Sequence, residues 1–68
     1  MTTIYNIYAN VNEGGYQLHI AQAYSKGIAY IIANAMTETY KAAADTITVQ
    51  HGTVIEYALI IDKAKEAI

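Results

Sequence analysis

The chain has no cysteine, no arginine, no phenylalanine and no tryptophan, and charged residues make up 15% of its 68 positions. Without cysteine it has neither a disulfide nor a thiolate metal site to add stability. Without arginine it lacks the planar fork that reads guanine and grips phosphate. Its four lysines, Lys26, Lys41, Lys63 and Lys65, are scattered, and the net charge is −2. No counterion-displacing basic patch follows from that set, so nucleic acid is not expected as a direct ligand. Six acidic residues are too few for an obvious DNA-mimicking surface. No apolar run approaches the roughly 20 residues that cross a bilayer, and no membrane contact is expected. The opening MTTIYNIYAN has no basic n-region and alternates instead of running apolar, unlike a signal peptide. These features together predict a cytoplasmic protein.

What is present is apolar mass. Hydrophobic residues make up 54% of the chain, and all seven aromatics are tyrosine. A domain this small buries only about 60% of its unfolded surface. It must therefore gain stability from a dense core or from self-association, and a homodimer fits this composition. Each tyrosine adds apolar area with a hydroxyl that seeks water or a partner, a combination favoured at contact surfaces.

Hydrophobic periodicity predicts a single α+β domain over residues 1–68. Residues 3–11 alternate, with Tyr5, Ile7, Ala9 and Val11 on one face and Ile4, Asn6, Tyr8 and Asn10 on the other. Asn12-Glu13-Gly14-Gly15 is a turn signal, and YQLHIAQA alternates again. A four-residue loop at 12–15 pairs Val11 with Tyr16, Ala9 with Leu18 and Ile7 with Ile20. It also sets Tyr8 opposite His19 and Asn10 opposite Gln17, with Asn6 beside them.

The longest helical stretch is Ser25 to Asp45, with Ser25 as N-cap. Its expected buried stripe is Ile28, Ile32, Ala35, Met36, Thr39 and Ala43, thinned by flanking alanines. Tyr30, Asn34, Thr37 and Lys41 fall on the opposite side. This helix is expected to cover Tyr5, Ile7, Val11, Leu18 and Ile20 of the hairpin.

Thr46 to Gln50 reads as a strand, and the chain then forks. With Gln50-His51-Gly52 as a three-residue loop, Ile47 faces Ile55 and VIEYALII returns as a strand. Alternatively, Thr53 and Glu56 form a capping box, and Tyr57, Ile60, Ile61, Ala64, Ala67 and Ile68 make a helical stripe. The balance leans slightly to helix. The expected order is therefore ββαβα, with ββαββ plus a short C-terminal helix as the alternative. In both, an antiparallel sheet of three or four strands carries one long helix on one face, and the ending DKAKEAI is helical.

Catalytic patterns are sparse. A zinc site needs three or four ligands, whereas His19 lies in a strand and His51 in a turn, neither with a ligand-type residue four positions on. Ser25 is accounted for as a cap, and no glycine spacing matches a phosphate-cradling loop. No enzyme activity, cofactor or metal is expected. The remaining expectation is binding, through the hairpin's polar face of Asn6, Tyr8, Asn10, Gln17 and His19, with Tyr30 on the helix as a further contact.

Two resemblances arise at the hairpin. The run NEGGYQLHI followed by a helix resembles the start of HicB-type antitoxin domains, which implies an antitoxin-like or accessory homodimer. Met1-Thr2-Thr3 together with Gly14-Gly15-Tyr16, and the hairpin–helix–strand order, resemble small phage-encoded anti-CRISPR proteins. That likeness covers about a third of the chain. It implies a phage or mobile-element protein that blocks a host CRISPR effector complex by steric contact, without catalysis.

Overall fold

The computed structural model describes residues 3–11 and 15–61. Its elements are β1 (Tyr5–Val11), β2 (Tyr16–Ala23), α1 (Lys26–Thr39), β3 (Thr46–His51) and β4 (Val54–Ile60). The fold is α+β and the order is ββαββ. Four strands form one antiparallel sheet in the spatial order β2-β1-β3-β4, with α1 packed on one side.

The first hairpin holds the expected register at its tip, with Val11 opposite Tyr16, Ala9 opposite Leu18 and Tyr8 opposite His19. Past His19 the pairing slips. Ile7 faces Ala21, not Ile20, and Ile20 becomes the extra residue of a β-bulge. Ile20 and Ala21 both pack against the core as a result.

The stretch after Gly52 is a strand, which corrects the helical leaning. Gly52 sits at φ +62° and reverses the chain with Thr53, so that His51 faces Val54. Pairing with β3 along Val54–Ile60 outweighs the local capping box, as β-branched and aromatic residues there favour. The loop is two residues rather than three, and Ile47 faces Leu59 instead of Ile55. A second bulge lies between Val49/Tyr57 and Gln50/Ile55, with Glu56 as the extra residue. The expected helical ending DKAKEAI falls at 62–68, outside the described residues.

A Cβ at position 52 would meet nothing within 4 Å, so a side chain there costs only backbone strain. Gly52→Ala is expected to lower unfolding free energy by about 1 kcal/mol. Urea denaturation reads this directly, and an unchanged midpoint would mean that the turn has another geometry.

Helix α1 begins as its sequence predicts. Ser25 is extended (φ −139°, ψ 139°) and its Oγ accepts from the Ile28 N–H at 3.4 Å. It ends at Thr39, earlier than Asp45. The Ala43 and Ala44 N–H groups both turn back to the Tyr40 carbonyl, and the Asp45 N–H donates to the Asn10 carbonyl at 2.8 Å. That last bond hands the chain into the sheet beside β1, and a longer helix would forfeit it.

The buried line of the helix is also rotated from the expected stripe. Ala29 and Ala33 are fully buried, Ile32, Met36 and Tyr40 flank them, and Ile28 is exposed. The alanines are thus the contact line. Beneath them lie Ile7 and Ala9 of β1 and Ile47 and Val49 of β3, in the two central strands. Leu18, expected under the helix, lies on edge strand β2 and is 58% exposed.

Candidate interaction face

Strand alternation places every second residue on the side of the sheet away from α1. The register assembles these residues into three rows. Gln17, Asn10, Thr46 and Ile60 form the first, and His19, Tyr8, Thr48 and Ala58 the second. Gln22, Asn6, Gln50 and Ile55 form the third. No Asp, Glu, Lys or Arg stands in these rows. The sole acidic residue of the four strands, Glu56, is turned to the helix side by its bulge. There its Oε2 lies 3.4 Å from Lys26 Nζ at the start of α1. The hydrogen bond to that carboxylate, then its charge, raise the Lys26 ammonium above its ordinary pKa.

The centre of the face is organised by hydrogen bonds. Asn10 Nδ2 donates to Thr48 Oγ1 at 3.1 Å, and its Oδ1 accepts from Gln17 Nε2 at 3.1 Å. Gln50 Nε2 donates to Thr48 Oγ1 at 3.3 Å. Thr48 is only 8% exposed, closed in by its row neighbours. These bonds fix the amide orientations, so the face offers a preset pattern of donors and acceptors instead of freely rotating side chains. Beside them the Tyr8 and His19 rings lie 5.2 Å apart, tilted by 40°. The pair makes a small aromatic platform on an otherwise amide and hydroxyl surface.

Of the residues expected at a contact surface, Asn6, Tyr8, Asn10, Gln17 and His19 do share this face, with Tyr8–His19 and Asn10–Gln17 paired as expected and Asn6 set opposite Gln22 by the bulge. Tyr30 does not. It belongs to the helix side, its ring 4.8 Å from that of Tyr57 on β4, and so is turned toward the sheet rather than away from it. The hairpin alone did not disclose the rest of the face: Gln22 from β2, Thr46, Thr48 and Gln50 from β3, and Ile55, Ala58 and Ile60 from β4. The alternation in TITVQ marks Thr46, Thr48 and Gln50 as one side of a strand. Placing that strand beside β1 required the sheet order.

The chemistry available here is recognition by hydrogen bonding and ring contact. Among the described residues no three His, Asp or Glu side chains cluster closely enough to hold a metal ion, and no helix is long and apolar enough to cross a membrane. Fold and face together define the class: a small α+β domain with one side of its sheet covered by the helix and the other, among the described residues, uncovered and without formal charge. No family model, curated protein or solved structure matches the chain.

Proposed function

We propose that this is a small non-enzymatic interaction protein that acts by laying its open sheet face against another protein. The observation that carries the reading is a face of three four-residue rows without a formal charge, its amides held in place by the Asn10–Thr48–Gln17–Gln50 network. Charge depletion with an aromatic centre is the composition of an interface core, where burying an unpaired ion would be costly. A solvated sheet face would ordinarily carry Lys and Glu. The resemblance of the N-terminal hairpin to phage-encoded anti-CRISPR proteins supports a CRISPR effector complex as the first partner to test, with steric blockade as the mode of inhibition.

Tyr8→Ala together with His19→Ala removes the ring platform and leaves the buried helix side intact. The double variant is expected to keep its circular dichroism spectrum and to bind its partner at least tenfold more weakly, about 1.4 kcal/mol or more. Pull-down from a CRISPR-bearing host, followed by titration of the captured complex with wild type and variant, measures this. A folded variant that binds as tightly as wild type would place the contact elsewhere.

A further inference from the structure

The open face constrains the chemistry of whatever covers it. Its three rows hold no formal charge, and the charged side chains of the described residues lie elsewhere. Lys26 pairs with Glu56 on the helix side, Glu38 pairs with Lys41 on α1, and Asp45 sits in the connection ahead of β3. A partner carboxylate set against the rows would meet no ammonium, and a partner ammonium no carboxylate. Either ion would lose its water without gaining a counter-charge, which is strongly unfavourable.

The amides do not relieve that cost. Asn10 Nδ2 is directed to Thr48 Oγ1 at 3.1 Å and to the Thr46 carbonyl at 3.4 Å. Gln17 and Gln50 each point an amide N–H along the face as well. The donors are thus largely engaged within the rows, not turned out toward an anion. Along β4 the same side becomes apolar, with Ile55 57% exposed, Ile60 82% exposed and Ala58 between them. A polyanion gains nothing from such a column. A protein surface with neutral polar and apolar groups side by side matches both halves.

His19 is the group of the face that can alter this match. Histidine is the side chain whose ordinary charge change falls between pH 5 and 8. Its row neighbours are Tyr8, Thr48 and Ala58, with Asn and Gln flanking that row along β1 and β2. The Tyr8 phenol is the other titratable group there. Among the described residues no carboxylate faces the ring from any of the four strands. His51 stands on the helix side, its ring 5.5 Å from that of Tyr5.

Resting on the protein-contact reading, we propose that the open face takes a partner surface that itself carries no formal charge, and that protonation of His19 opens the contact. The neutral imidazole is the form that binds. Affinity is therefore full where the ring is uncharged and falls as acid charges it.

The probe is a CRISPR effector complex purified from a CRISPR-bearing host and titrated with the full chain. Raising salt from about 0.1 M to about 1 M shortens the Debye length from about 10 Å to about 3 Å, and should change Kd by less than about threefold. Lowering the pH from about 7.5 to about 5.5, across histidine's ordinary charge change, should weaken binding at least about fivefold. His19→Gln, whatever its affinity at the higher pH, should remove most of that pH dependence, and His51→Gln should leave it in place. A steep loss of affinity with salt, or a pH profile that His19→Gln does not flatten, would overturn the inference. The contact itself would still stand if the Tyr8→Ala, His19→Ala double variant bound more weakly. Absence of binding by wild type at every salt and pH, or a double variant that binds as wild type does, would remove the contact and the inference with it.

Discussion

Ile47→Ala is expected to cost about 3 kcal/mol of unfolding free energy, within the 2–5 kcal/mol that truncating a buried isoleucine typically removes. Ile47 is fully buried, in one of the two central strands, opposite Ala9 of β1 and Leu59 of β4. A domain of this length holds roughly 3–10 kcal/mol in total, at 0.05–0.15 kcal/mol per residue. The loss is therefore a large share of the total. The other large buried side chains are Ile7 and Val49, and the surrounding core positions are mostly alanine. Each kcal/mol shifts the melting temperature of a 60–100-residue domain by about 4–8 °C, so a drop of at least about 12 °C should appear in a thermal scan. Ile31→Ala is the matched control. Ile31 is exposed on the helix, and alanine's better helix propensity should leave stability unchanged within about 0.5 kcal/mol. Equal effects from the two variants would remove Ile47 from the centre of the core.

The contrast between those two isoleucines shows which parts of the structure were legible in the sequence. The first hairpin was, because its strands alternate and its turn is marked by Gly14-Gly15, so period and punctuation agree. Its register placed Tyr8 beside His19 and Asn10 beside Gln17, which is a third of the twelve residues of the candidate face. A bulge follows from tertiary demand and leaves no local mark, so the slip at Ile20 was not readable. The C-terminal half was ambiguous for a physical reason. VIEYALII is apolar on every face, and a stretch without alternation fits a helical stripe as well as a strand. What decides between them is the partner strand β3, which lies across the sheet and not in the local pattern. The remaining misplacement was rotational. Large side chains at 28, 32 and 36 define the most hydrophobic stripe of α1, yet alanines lead the contact because they let the helix axis come closest to the sheet.

That rotation leads to the second large effect. Ala33→Leu is expected to destabilise the fold by about 1–3 kcal/mol, although it adds apolar volume and keeps a strong helix former. Ala33 is fully buried, as is Ala29 one turn earlier, and both belong to the cluster that includes Ile7, Ile47 and Val49. A leucine on that line must lift the helix or leave its rotamer, and lifting it would also strain the Lys26–Glu56 and Tyr30–Tyr57 contacts that tie α1 to β4. The stripe read from periodicity alone makes the opposite forecast. On that rotation Ala33 lies on a flank, where leucine costs less, and Ile28 is core, where truncation is costly. Ile28→Ala is instead expected to cost less than about 0.5 kcal/mol, because Ile28 is already exposed and alanine favours helix. Urea unfolding of the two variants side by side separates the rotations by the order of their midpoints. Ala33→Leu should fall well below wild type and Ile28→Ala should stay beside it. The reverse order would turn the helix by about one residue and place Ile28, not Ala33, against the central strands.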